Sequence, residues 1–290
     1  MRVFLSTVGK TLILLIALAF LLEWGFSYCH TNPVYPRNKI AWIKSIDSEE
    51  KIDYAFFGSS RCINHVNTVQ IDEATDLNGY NFGYAASNPF EVKLAVMEFL
   101  KEHNAEKIFV QVDMSYNELL PDTLAMADWI PYMKDGWIRD QFTPYLNDIN
   151  VMSFIPFYRY AKYESKIGFR NTFFTMLGKK ADFTRLQGFE VHRNGNNFPD
   201  PNQQLPLNKI ENRHITEIIS HCQEQGVELY FFTSPVLGNR VDYSYLSEHL
   251  PHYEDFSNVY QDETMFNNYL HMTGEGAADF TDLLIETYFK

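Results

Sequence analysis

A hydroxyl becomes a useful nucleophile only when an imidazole removes its proton, and Ser60 and His271 are the natural pair for that chemistry in this chain. Ser60 sits in Ile52–Arg61, IDYAFFGSSR, where an apolar, aromatic run enters Gly58-Ser59-Ser60-Arg61 without a break. The pattern reads as a short buried strand, a small-residue turn and the start of a helix. Such a turn presents side chains at the carboxyl edge of a sheet, where open α/β folds keep their sites. Of nine histidines, only His271 combines a loop position just before a capped helix with a place late in an α/β chain. Each residue also has an ordinary reading. A serine at a strand end is commonly a turn residue, and a histidine before a helix is commonly a cap or a surface group.

The elements that must bring these two together are legible in outline. With 290 residues, 46% hydrophobic and 21% charged, the chain can bury a substantial core as one large domain or two small ones. Its 24 Phe and 18 Tyr fit a core and a cleft lined by rings, as a glycan-facing cleft would be. A formal net charge of -13 with no evident basic stripe argues against a nucleic-acid partner, since phosphate backbones are held by clustered Lys and Arg. Cys29, Cys62 and Cys222 form no CxxC pair, and Cys62 and His65 with His221 and Cys222 lack the regular ligand spacing of a structural zinc site. No metal and no cofactor are expected.

Thr11–Leu22 is continuously apolar, and counting back through Val3, Phe4, Leu5 and Val8 gives the roughly 20 residues that a membrane span needs. Gly25 and Ser27 would suit a signal peptidase, but Trp24, Phe26 and Tyr28 are poor company for cleavage. Residues 1–28 are therefore read as an uncleaved anchor, with Arg2 and Lys10 at a cytoplasmic end and the rest of the chain outside. Residues 29–50 follow as a linker with a short helix over Lys39–Ile46. Next come strands at Ile52–Phe57, Gly79–Tyr84, Lys107–Asp113, Val227–Thr233 and Phe256–Tyr260. Between and after them fall helices at Asn64–Thr75, Asn88–His103, Asn208–Gln225, Val241–Leu250 and, capped by Thr273, Gly276–Tyr288. Strand and helix alternating in this way call for right-handed crossovers and a parallel sheet. Residues 121–205, rich in Trp, Tyr, Phe and Met and ending in the polar Arg193–Leu205, read as a mostly helical insertion or lid over the sheet's carboxyl edge.

Gly58-Ser59-Ser60-Arg61 after the first strand, Gly83 after the second, and Asn268-Tyr269-Leu270-His271-Met272-Thr273 with Gly276-Ala277 and Phe280-Thr281 beyond together resemble the SGNH (GDSL-like) hydrolase superfamily. They look most like its membrane-anchored, extracytoplasmic acyltransferases, related to the D-alanyl transfer protein of teichoic acid synthesis and to bacterial polysaccharide O-acetyltransferases. The resemblance covers about Ile52–Asp113 and Val227 to the C-terminus, and the block around His271, close to the family's DxxHLNxxGA, is its most specific part. It implies a three-layer α/β/α fold with flavodoxin-like strand order over residues 51–290. It implies Ser60 as nucleophile, His271 as general base, and the N–H groups of Ser60 and Gly83 as an oxyanion hole. It further implies a glycan acceptor, a membrane-bound O-acyltransferase as partner, and a place on the outer side of the bacterial inner membrane.

Two departures from the family pattern matter. Asn268 stands where the family has an acid, and replacing the triad Asp of a serine protease lowers turnover by about 10⁴. Either another group orients His271, a backbone carbonyl or Asp262, or the site is slow or inactive. The family's GxND block has no clean counterpart, because the third strand ends at Asp113, whose carboxylate would oppose an oxyanion. Asp113 is expected to pair with Arg61 across neighbouring first and third strands, as a structural bridge or a substrate-binding pair. Asn88 and Asn117 are the candidates for the missing donor. Two functions follow: acyl transfer or ester hydrolysis on a cell-envelope or exported polysaccharide, or a degenerate domain that binds glycan or assists assembly beside a membrane O-acyltransferase. A generic lipase is less favoured, given the anchor and the polar Asn194–Gln204.

Overall fold

The computed structural model describes residues 1–32, 34–192, 204 and 206–290, so all of the polar stretch Arg193–Leu205 except Gln204 lies outside the described residues. Two compact units form, Met1–Ser45 with Met126–Lys180, and Ile46–Ala125 with Ala181–Lys290. In chain order the elements begin with helices α1 (Arg2–His30) and α2 (Lys39–Ile43), strand β1 (Tyr54–Phe57), helices α3 (Ser60–His65) and α4 (Thr68–Thr75), strand β2 (Gly79–Asn81), helix α5 (Pro89–Phe99) and strand β3 (Lys107–Gln111). Helices α6 (Gly136–Phe142), α7 (Ile149–Phe154), α8 (Tyr158–Lys162), α9 (Glu164–Ile167) and α10 (Phe169–Met176) come next. The chain ends with α11 (Arg213–Gln225), β4 (Glu228–Thr233), α12 (Ser244–His249), β5 (Tyr253–Asp255) and α13 (Gly274–Tyr288).

All five strands pair in parallel in the order β2-β1-β3-β4-β5, the flavodoxin-like arrangement. Both faces of the sheet are covered, by α3, α4 and α13 on one side and by α5 and α11 on the other, which makes three layers. The period of two along β1 sorts its rings between them. Tyr54 and Phe56 join Phe109, Phe232, Phe280 and Leu284 on the α13 side, with Phe56 and Phe109 stacked at 4.5 Å, while Phe57 meets Phe99 of α5 at 5.6 Å. Each fully buried ring of this kind contributes roughly 1.5–3 kcal/mol of transfer free energy.

Several element ends differ from the sequence reading, three of them for a clear local reason. The helix expected over Asn64–Thr75 is two helices, because Val66 is extended and the Asn67 N–H donates to Thr281 Oγ1 at 3.0 Å. The last strand is Tyr253–Asp255 rather than Phe256–Tyr260, since Asp255 Oδ1 accepts from the Ser257 N–H at 2.9 Å and turns the chain. The third strand stops at Gln111, and Asp113 caps the following turn.

The insertion also has different limits and company. Residues 126–180 form one unit with α1, whereas 181–192 belong with the sheet. α1 is long and apolar enough to cross a membrane. Glu23, which ends its continuous apolar run Thr11–Leu22, is buried. Glu23 Oε1 meets Arg159 Nη2 at 2.8 Å and Lys134 Nζ at 2.6 Å, and Oε2 accepts the Phe157 N–H at 3.0 Å. Ser27 Oγ adds bonds from Arg159 and Tyr160, both at 3.0 Å. Breaking a buried ion pair leaves its partner charge uncompensated. Glu23→Ala is thus expected to cost about 3–5 kcal/mol, read as a lowered denaturation midpoint and as early proteolysis within 126–180. Unchanged protection of that segment would show that the pair does not hold it.

Candidate active site

β1 and its neighbours put the site at the carboxyl edge, where the strand order turns between β1 and β3. Gly58 is required by contact. A Cβ there would lie 2.7 Å from Gln111 Cβ and 2.9 Å from Cys62 Cβ. The close approach lets Gln111 Oε1 accept both the Ser59 N–H at 3.0 Å and the Ser59 hydroxyl at 2.7 Å, while Gln111 Nε2 donates to Asp113 Oδ2 at 3.0 Å. Ser59 Oγ in turn caps α3 by accepting from the Arg61 N–H at 3.3 Å. Ser60 is then the first residue of a helix, and its own N–H is among those that an α-helix start leaves without an intrahelical acceptor.

His271 reaches this turn from the loop before α13. Its Nε2 lies 2.8 Å from Ser60 Oγ, and its Nδ1 lies 3.1 Å from Asn268 Oδ1. The orientation of the Asn268 amide is decided by its other bonds, because Oδ1 also accepts the backbone N–H groups of Leu270 and His271, both at 2.9 Å. Turning the amide over would set its NH₂ against two donors. With an acceptor facing Nδ1, the proton of the neutral imidazole sits on Nδ1, and Nε2 keeps a lone pair for the Ser60 hydroxyl. Asn268 therefore supplies the tautomer that a triad needs and withholds only the charge. Asp262, considered as an alternative, is exposed and bonds to Thr264.

Positive and neutral neighbours surround the imidazole. Burial, together with His192 and Arg61, lowers the His271 pKa from 6.5 to about 4. His192 stacks on His271 with centroids 4.4 Å apart and planes 7° from parallel, and its backbone oxygen accepts from Asn267 Nδ2 at 2.8 Å. The fully buried His65 takes the Met272 N–H on Nε2 at 3.2 Å, which needs its neutral form.

Arg61 and Asp113 do pair, at 3.1 Å, and both are buried. Burial pushes the Asp113 carboxyl up, but Arg61 and the hydrogen bonds from Ser115 and Gln111 outweigh it and hold the group below the usual carboxylate range. The remaining candidates are engaged elsewhere. The Gly83 N–H donates to Asn81 Oδ1 at 3.0 Å, Asn88 Nδ2 to the Leu120 carbonyl at 3.3 Å, and Asn117 Nδ2 to the Asn208 carbonyl at 3.0 Å. Asn88 also opens α5 as its N-cap. Sequence reasoning passed over Gln111, His192 and Asn81, the last of which braces α3 through Cys62 and Val66 carbonyls, both at 2.9 Å. The alternation of β3 could have flagged Gln111, a polar residue in a buried strand. Nothing local flags His192.

A His whose folded pKa lies below its unfolded value binds fewer protons folded than unfolded between the two. Its share of stability is complete above 6.5 and is lost as pH falls toward 4. Imidazole NMR of His271 is expected to show a midpoint near 4. A midpoint at the ordinary value would contradict this account of its surroundings. No protein-family model matches the chain, and no curated protein matches it.

Proposed function

We propose that this protein is an SGNH-type serine acyltransferase or esterase acting on a cell-envelope or exported polysaccharide. In this reading α1 anchors it in the bacterial cytoplasmic membrane and the α/β unit is extracytoplasmic. The observation that supports it best is the line from Ser60 Oγ to His271 Nε2 at 2.8 Å and on from Nδ1 to Asn268 Oδ1 at 3.1 Å. Ser60 Oγ attacks the acyl carbonyl as Nε2 takes its proton. Nε2 returns that proton to the leaving group, which leaves an acyl-serine. A sugar hydroxyl, or water, then attacks the acyl-serine by the same route, giving the ester or the free acid. The donor would come from a membrane-bound O-acyltransferase, and no cofactor takes part.

A second reading, a degenerate SGNH-like domain that binds glycan or helps assembly, is favoured by two observations: the uncharged Asn268 and the Gly83 N–H turned to Asn81. The two readings part on reactivity. A fluorophosphonate probe is expected to label the chain and to lose that labelling in Ser60→Ala. Asn268→Asp is expected to raise the rate of acyl transfer by at least about tenfold, though by less than the about 10⁴ seen when loss of an acid also spoils the tautomer. Labelling that survives Ser60→Ala, or no response in either variant, would favour the degenerate domain.

A further inference from the structure

Helix α10 is built inside out. Its polar Thr172 and Thr175 are buried, Thr172 bonding His30 of α1 at 2.8 Å, while Phe169, Phe173, Met176 and the adjoining Leu177 are 55%, 58%, 64% and 57% exposed. Positions i, i+4, i+7 and i+8 make one continuous stripe. Val151, Phe154 and Ile155 repeat the pattern at α7 and its end, 40%, 69% and 53% exposed. A helix that turns threonines inward and phenylalanines outward is wrong for water and right for a bilayer surface.

Charge and position point the same way. Over residues 158–180 Arg159 is buried against Glu23 and Lys162 is held by Asp148, which leaves Lys166, Arg170, Lys179 and Lys180 as exposed basic side chains against Glu164, in a chain whose net charge is -13. Basic residues interleaved with Phe and Leu are the composition of helices that lie in the headgroup plane. α10 packs on the last turns of α1, through Phe26 against Phe169 at 5.4 Å as well as through His30. The continuous apolar run ends at Leu22, before Glu23, and Phe26 to His30 stand roughly 6–12 Å beyond it along the helix at about 1.5 Å per residue. That is headgroup depth.

We infer that α7–α10 form a collar around the emerging end of α1, with the apolar stripe sunk into the outer-leaflet interface and the basic residues on anionic phospholipid headgroups. The inference rests on the part of the proposed function in which α1 crosses the membrane. It does not depend on what Ser60 does.

The test uses the full chain in nanodiscs containing phosphatidylglycerol. Single cysteines carrying an environment-sensitive fluorophore are introduced at Phe173→Cys, at Leu15→Cys within the span, and at the exposed Ser247→Cys as an aqueous reference, the three native thiols being buried. The collar predicts blue-shifted emission and quenching by spin-labelled lipid at 173 and at 15, with neither at 247. Quenching at 15 while 173 behaves like 247 overturns the collar alone, and assigns the stripe to a protein partner. No quenching at 15 overturns the membrane span and the collar with it. Replacing phosphatidylglycerol by phosphatidylcholine is expected to reduce quenching at 173, and an unchanged signal would overturn the role given to the basic residues.

Discussion

One oxygen atom organises the candidate site. Asn268 Oδ1 receives the N–H groups of Leu270 and His271 and the Nδ1 of the His271 ring, so a single acceptor shapes the loop and sets the imidazole's tautomer together. An aspartate would make the same bonds and add a charge. The geometry of a triad is thus present without an acid, because the backbone donors fix which end of the side chain faces the ring. An anion's field is absent from Asn268. Burial, with His192 and Arg61 nearby, holds His271 near 4, so that it is deprotonated at neutral pH yet a weak base.

The turn that carries Ser60 is fixed just as tightly. Gly58 lets β1 approach Gln111 closely, Gln111 holds Ser59, Ser59 caps α3, and Asp113 ties Gln111 to Arg61 of the same helix. The Arg61–Asp113 pair closes a ring that joins the ends of β1 and β3 through α3. The Asp113 carboxylate is matched by a buried guanidinium. Removing Asp113 would leave the Arg61 charge uncompensated one residue from Ser60.

What the sequence disclosed followed from periodicity and local chemistry. The alternation of Tyr54, Phe56 and Phe57, the Pro89 and Thr273 helix starts and the apolar run of α1 each carry their signal within a few residues, and the parallel sheet follows from their order. The pairing of Arg61 with Asp113 was legible once β1 and β3 were taken as neighbours. Gly83 was misleading for a physical reason. Asn81, two residues earlier, offers its N–H an acceptor, and a glycine needed for close packing, where an added Cβ would lie 2.8 Å from Cys62 Cβ, looks the same in sequence as one needed for its N–H. His192 lies 79 positions from the ring it stacks on, at the edge of a segment without periodicity, so no local pattern could place it.

The same limit explains the insertion. Its aromatic and methionine content reads in sequence as material for a lid, and the net charge of the whole chain masks the basic run at 158–180. Composition cannot tell an inward stripe from an outward one; only the burial of Thr172 and Thr175 does so. The contact with α1 also bears on the fate of that helix. Cleavage among Trp24 to Cys29 would remove Glu23, and with it the carboxylate that meets Arg159, which is 1% exposed, and the acceptor of the Phe157 N–H. The insertion and the N-terminal helix therefore stand or fall as one folding unit, and a chain without α1 would have to find other partners for a guanidinium and a ring cluster that α1 now covers.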